Sequence, residues 1–287
     1  MKPLILLMTL AVVVLSKGLS QNKSDEIRLL IRGDDIGSAH AANLACIESY
    51  QEGIMRSVEI MVPCAWFPEA VKMLAENPGL DVGVHISITS EWANVKWGPV
   101  SNAPSLTDKN GYFFPMIWPN EQRPDDQALK SQNWKIEEIE QEMRAQIEMA
   151  VRNIPRVSHL SCHMGCSGWD PKVQEVYSKL AKEYGLEINP SDFGVKRFPL
   201  TENGETLEDR INNFVSALQK LEPGNTYFYI EHPGLDTPEM QAYGHTGYED
   251  VATDRDLVTK TFTSEKIKEV IKQKNIKLIS YKDLMVQ

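Results

Sequence analysis

The stretch IRLLIRGDDIG, residues 27–37, is an apolar, β-branched run that stops at two adjacent carboxylates, Asp34 and Asp35, set between Gly33 and Gly37. A near-continuous apolar run of this length suits a strand buried on both faces, as in a parallel sheet covered by helices. Residues 57–62, 82–88, 157–160, 226–231 and 276–280 have the same character. Helical patterns fall between them. Ile136, Ile139, Met143, Ile147, Ala150 and Val151 form a stripe at helical spacing. Asp170 and Pro171 supply an N-cap and a proline at the first helical position, Val173, Val176, Tyr177 and Leu180 give the buried face, and Gly185 ends it. Ile267, Val270 and Ile271 mark a last helix. Strand then helix, repeated along one chain, implies parallel strands joined by right-handed crossovers. The expectation is an α/β fold: one domain over residues 21–287, closing as a TIM-like (β/α) barrel, distorted or incomplete. No low-complexity linker and no internal repeat divides it.

Residues 1–20 stand apart. Lys2 is followed by LILLMTLAVVVL, residues 4–15, and then by the small residues Gly18 and Ser20. That is the pattern of a signal peptide cut between Ser20 and Gln21. The run is short for a bilayer span, and no later stretch reaches spanning length. An exported protein, periplasmic or secreted and without stable membrane insertion after cleavage, is therefore expected; an uncleaved anchor is the alternative. The formal charge is −10, and loss of Lys2 and Lys17 with the leader makes it −12. That balance argues against nucleic acid or an anionic membrane surface as partner.

Cys46, Cys64, Cys162 and Cys166 permit two disulfides in an oxidising compartment. Their density is not that of a disulfide scaffold, and buried free thiols are expected for at least two. Cys162 and Cys166, with His159 and His163, lack the separated ligand pairs of a structural zinc site. Residues 91–134 break the strand–helix rhythm with Trp92, Trp97, Trp118 and Trp134 among five prolines. A loop this long is usually functional or disordered, and the tryptophans argue against disorder. Aromatic faces stack on sugar rings and other flat apolar surfaces. Trp92, Trp97 and Trp118 are therefore candidate substrate contacts; packing of the insert onto the barrel is the competing reading for each.

Asp34 and Asp35 directly follow an apolar strand, which places them at its carboxyl end, where barrel enzymes put their catalysis. Neighbours in an extended chain point to opposite sides, so one carboxylate is expected to ligate a metal while the other faces a water. Capping of a helix near Ala41 is the alternative. His85 interrupts the apolar DVGVHISIT of residues 81–89, His159 and His163 bracket the end of the 157–160 run, and His232 closes the 226–231 run. A lone histidine on an apolar strand is more often a hydrogen-bonded core residue than a ligand. Here four of the six histidines share strand ends with the acidic pair, and parallel strands open all those ends on one face. A carboxylate and two neutral imidazoles bind Zn²⁺ or another divalent ion and leave positions for water and substrate. A carboxylate not used as ligand can then take a proton.

Together, GDDIG at 33–37, VGVHISIT at 82–89, HLSCH at 159–163 and EHPG at 231–234 resemble the YdjC/ChbG carbohydrate deacetylase family. TDRDL at 253–257 and IKLISY at 276–281 fit its carboxyl-terminal pattern, and the resemblance spans residues 27–284. Each motif alone is weak; four in order at matching spacing are fairly specific. The resemblance implies a barrel related to the polysaccharide deacetylases and a metal-dependent hydrolase that removes N-acetyl groups from an acetylated sugar or oligosaccharide. By that likeness Asp35, His85 and His163 would hold one divalent metal ion, zinc or magnesium. Asp34 would be the general base and His232 the general acid, Arg255 would orient or tune Asp34, and His159 would sit behind the ligands. A homo-oligomer is compatible with it.

The chain departs from the family in places. Arg32-Gly33 stands where a small polar pair is usual, Ser161-Cys162 replaces an Asp-Ser pair, and Met164-Gly165 lacks a further histidine. These changes spare the metal triad and bear on the hydrogen bonds behind it, and so on substrate choice. A hydrolase of another amide or ester is an alternative, since barrels host many chemistries. A non-catalytic carbohydrate-binding relative is another, but a binder has no need of a spare base beside the ligand.

Overall fold

The computed structural model describes residues 25–121 and 124–286. The leader-like residues 1–20 lie outside that range. The strands are β1 (Ile27–Ile36), β2 (Ser57–Ile60), β3 (Asp81–Ile86), β4 (His159–Cys162), β5 (Lys196–Arg197), β6 (Thr226–Glu231) and β7 (Ile276–Ile279). Every ladder between them is parallel. The sheet runs β4-β3-β2-β1-β6-β5, with β7 also paired to β1. β6 lies along one side of β1; on the other side β7 takes the first half of β1 and β2 the second.

The parallel α/β reading holds, and of the expected distorted or incomplete barrel the open form is found. Among the described residues β4 and β5 do not pair, so the sheet is a curled half-barrel rather than a closed TIM-like barrel. The cause is local. β4 meets Glu187 in an isolated antiparallel bridge at His159, and β5 is two exposed residues, too short to carry closure.

β1 is apolar through Leu29, Leu30 and Ile31, where both its faces are covered. Leu29 and Ile31 join the large core that runs from Ile27 to Ile276, while Leu30 joins a smaller cluster with Ile279, Tyr281 and Leu284. Each such fully buried aliphatic side chain contributes about 1.5–3 kcal/mol. Among the described residues seven α-helices cover the sheet: α1 (His40–Gln51), α2 (Phe67–Glu76), α3 (Ile136–Asn153), α4 (Pro171–Tyr184), α5 (Leu207–Gln219), α6 (Val251–Phe262) and α7 (Glu265–Gln273). α4 has the expected ends: Asp170 accepts from Lys172 N, and Gly185 takes the left-handed conformation. α1 is not capped by the acidic pair; Glu239 accepts from its His40 and Ala41 N–H groups at 3.1 Å each. None of the described helices is long and apolar enough to cross a membrane.

The 91–134 insert packs onto the core through Trp92, Trp97, Leu106, Phe113, Ile117 and Leu129. Buried Glu142 of α3 fastens it, accepting from Val100 N at 3.1 Å, Ser101 N at 2.9 Å and Ser101 Oγ at 2.6 Å. Those N–H groups would otherwise lack partners in a segment without regular structure.

Candidate active site

At the end of β1 the register against β2 shifts, Gly33 facing Val58 but Ile36 facing Ile60. Three steps on one strand against two on the other is a bulge, and Asp35 within it has φ 72°. Aspartate tolerates that left-handed region better than most side chains. The bulge cancels the alternation of an extended chain, so both carboxylates line one cavity. His85 Nε2 lies 3.6 Å from Asp35 Oδ1 and 3.7 Å from Asp34 Oδ2. The opposite-sided placement expected from strand geometry is corrected accordingly. Gly37 follows with φ 97°, and a Cβ there would stand 2.9 Å from the Met61 carbonyl oxygen.

Asp35, His85 and His163 offer ligand atoms that all lie within 4.8 Å of one another, and all three residues are buried. His85 stands near the end of β3, and His163 opens the turn after β4. His163 Nδ1 is 3.4 Å from Asp35 Oδ1, and its Nε2 is 3.0 Å from Glu91 Oε2. Asp35 Oδ2 accepts from Arg255 Nη2 at 2.8 Å, whereas buried Asp35 Oδ1 has no hydrogen-bond donor. An orphaned carboxylate oxygen facing two imidazole nitrogens is a donor set that fits Zn²⁺ or a similar divalent ion.

Electrostatics agree with that assignment at Asp35 and His85, whereas His163 must lose a proton to serve as a ligand. Burial would raise the Asp35 pKa, but Arg255, with His163 and His232, outweighs it and holds the carboxyl well below its usual range. Burial pushes His85 down to about 3 against the pull of Asp35, which keeps the imidazole neutral. Burial also opposes charge on His163, yet Glu91 and Asp35 push it up to about 10. Without a cation His163 carries a proton that a bound ion would replace.

Asp34 is held differently. Arg32 Nη2 donates to its Oδ2 at 2.8 Å, and Arg32 Nε sits 2.7 Å from Oδ1, close enough to pair but out of line for a hydrogen bond. Arg32 also donates to the Tyr281 hydroxyl at 2.8 Å. The expected Arg255–Asp34 contact is therefore corrected. Arg255 reaches Asp35 from α6, its guanidinium 5.4 Å above the Trp92 ring, while Arg32, two residues back on the same strand, serves Asp34.

His232 borders the same cavity, with its side chain 40% exposed and Nδ1 3.9 Å from Glu231 Oε2. Burial lowers its pKa, but Glu231 and then Asp35 raise it further, for a net increase. His159 does not border the cavity; its Nε2 is 2.6 Å from Glu59 Oε1 and its ring stacks 3.5 Å from Tyr281.

The cavity holds about 410 Å³, with Trp92, His245 and Tyr248 among its walls. A larger groove of about 700 Å³ follows the β5–β6 edge, but no histidine lines it. Chemistry rather than size singles out the site. Of the tryptophans, Trp92 faces the cavity, stacked against His245 at 5.6 Å. Trp97 is 5% exposed and donates its N–H to the Thr89 carbonyl at 2.8 Å, its ring 6.1 Å from that of His163. Trp118 is 45% exposed, stands beside Gly165, and does not line the cavity.

Cys46, Cys64, Cys162 and Cys166 are free, with the Sγ atoms of Cys162 and Cys166 2.6 Å apart. None of them joins the ligand cluster. Sequence reasoning passed over Glu59, Glu91 and the role of Arg32. Only Glu59 carried a signal, as a charge inside the apolar 57–62 run.

The chain matches the YdjC-like protein family over residues 28–273. It is 32% identical over 237 residues to a carbohydrate deacetylase of Thermus thermophilus, covering 75% of this chain and 80% of that protein. It is 26% identical over 273 residues to carbohydrate deacetylase 1 of Listeria innocua, covering 90% of this chain and 100% of that one. Among solved structures, a protein of Enterococcus faecalis V583 named for cellobiose-phosphate cleavage shares the fold with a TM-score of 0.68 at 23% identity, over 91% of this chain and 99% of the other. With most of its length matched in this way, the chain belongs to the YdjC-like protein family.

Proposed function

We propose that the protein is a metal-dependent hydrolase that removes N-acetyl groups from an acetylated sugar or oligosaccharide, with Asp35, His85 and His163 holding one divalent ion, zinc or magnesium. The carrying observation is Asp35 Oδ1, buried without a donor, 3.4 and 3.6 Å from two imidazole nitrogens and next to the second carboxylate of Asp34. The substrate class comes from the relatives named carbohydrate deacetylases. Export, which rests on residues 1–20, would place the activity in the periplasm or the medium.

When bound, the ion supplies a Lewis acid that polarises the acetamide carbonyl and lowers the pKa of a water beside it. Asp34, fixed by Arg32, takes the proton of the attacking water. His232, kept protonated to higher pH by Glu231, gives a proton to the departing amine. Arg255 holds Asp35 ionised and oriented. Trp92, 3% exposed between His245 and Arg255, shapes the wall of the sugar cavity, with Trp97 packed behind His163 and Trp118 further out.

The test is acetate release from N-acetylglucosamine oligomers, alongside acyl esters and phosphodiesters. Chelation is expected to abolish release and a divalent ion to restore it. Asp34→Asn is expected to lower it by about 10²–10⁴-fold while sugar binding persists. Near-normal release by that variant would remove Asp34 from the base role. Turnover of esters or phosphodiesters alone would reassign the substrate, and sugar binding without release would make the protein a binder.

A further inference from the structure

Glu59 is a fully buried carboxylate on β2 that the proposed chemistry leaves unused. It reaches across the sheet. In the parallel register Glu59 faces Gly83, Gly83 faces His159, and His85 faces Ser161. Gly83 makes the crossing possible: a Cβ there would fall 2.3 Å from Glu59 Oε2 and 2.5 Å from His159 Nε2. Over that gap Glu59 Oε1 accepts from His159 Nε2 at 2.6 Å, and Oε2 accepts from the Ser161 hydroxyl. Ser161 Oγ in turn is 2.7 Å from His85 Nδ1.

We infer that Glu59 is a positioning residue for His85, acting through the Ser161 hydroxyl to fix which imidazole nitrogen carries the proton and where the other one points. The argument is one of hydrogen-bond polarity. An ionised carboxylate only accepts. Burial would raise the Glu59 pKa, but His159 and Arg32 outweigh it, so the group stays ionised. The Ser161 proton must then point to Glu59, which leaves Ser161 Oγ as acceptor for His85 Nδ1–H. His85 Nε2 is thereby left with a free lone pair, 3.6 Å from Asp35 Oδ1. Histidine ligands generally have their other nitrogen fixed by a carboxylate or carbonyl; here one hydroxyl is interposed, and the carboxylate comes from a strand two places away from β4.

An amide at position 59 would reverse the chain. With its carbonyl oxygen kept on the His159 Nε2–H, its NH₂ would donate to Ser161, Ser161 would donate to His85 Nδ1, and the ring proton would move to Nε2, the atom a cation needs. A carboxylate at position 161 would repair the fault, accepting both the amide N–H and His85 Nδ1–H. The inference rests on the reading that Asp35, His85 and His163 hold a divalent ion, so it is tested with the metal alone and also without metal.

Full-length apo-protein would be titrated with Zn²⁺ by calorimetry, and the His85 ring nitrogens would be followed by ¹⁵N NMR in the metal-free state. Glu59→Gln is expected to weaken Zn²⁺ binding by about 10–100-fold and to move the His85 proton from Nδ1 to Nε2. The double variant Glu59→Gln/Ser161→Asp is expected to restore both readouts, which a merely structural role for Glu59 would not do. Should Glu59→Gln fold poorly, Ser161→Ala leaves the Glu59–His159 contact in place and is expected to lose a similar affinity. Wild-type Zn²⁺ affinity together with the wild-type His85 tautomer in Glu59→Gln, or in Ser161→Ala, would overturn the inference. A wild-type protein that takes up no divalent ion would bring down the metal reading instead, and the NMR tautomer would still decide the role of Glu59.

Discussion

Asp34 and Asp35 are chain neighbours with different partners, and the partners divide the work between them. Arg32 lies against both oxygens of Asp34, while Arg255 takes one oxygen of Asp35 and leaves the other without a donor. Arg255→Met would strip buried Asp35 of its hydrogen-bonded counter-charge and leave that charge to the more distant His163 and His232, so a loss of up to about 3–5 kcal/mol is expected in urea unfolding of the metal-free protein. A loss under about 1 kcal/mol, the size of an exposed pair, would mean that the histidines carry the Asp35 charge without Arg255. His232 offers a pH test. Its pKa is raised, chiefly by Glu231 against the opposing effect of burial, and Glu231 is itself held by Asn203 at 2.9 Å and Tyr229 at 3.1 Å. A general acid is present below its pKa and lost as pH rises through it. Glu231→Gln removes the raising partner, so the alkaline limb of the kcat profile should move to lower pH; a limb that stays in place would detach His232 from the acid role. The acidic pair and the histidines were legible because they interrupt apolar runs. The arginine assignment was not, because spacing along the chain does not reveal that α6 lays Arg255 over Trp92.

At the scale of elements, local information was read well and pairing information poorly. β1 declared itself by covering both faces with apolar side chains, and α4 by Asp170, Pro171 and Gly185. The bulge at Asp35 is a property of register against β2, which no single segment carries. β5 has two exposed basic residues and no apolar signature, so only its ladder to β6 identifies it. Glu59, passed over within the 57–62 run, takes its role only from the His159 and Ser161 that β4 supplies. Gly83 is where these pairings become testable. Gly83→Ala would set a Cβ against Glu59 and His159 across a packed sheet, and about 1–3 kcal/mol of destabilisation is expected. Its thermal unfolding should fall accordingly, and an unshifted midpoint would show that the strands part more easily than this packing implies.

For the whole molecule, the parallel sheet does most of the assembly. Every strand points the same way, so the ends of β1, β3, β4 and β6 bring the acidic pair, His85, His163 and His232 to one rim. The strand order sets who meets whom: β3 beside β4 joins the two ligand histidines, and β1 beside β6 aligns Gly33 with Glu231, next to His232. This convergence was readable once the strands were taken as parallel. An incomplete barrel was allowed for, but not that its opening lies between β4 and β5, since closure depends on how long the last strands are. The central claim is that three buried side chains converge on one cation beside a second carboxylate, that of Asp34, which Arg32 holds. Its most direct test is anomalous diffraction from crystals of the protein soaked with Zn²⁺. A single strong peak is expected about 2.0–2.2 Å from Asp35 Oδ1 and from one ring nitrogen each of His85 and His163. Zinc bound only elsewhere on the protein, or the three side chains found out of reach of a common ion, would contradict it.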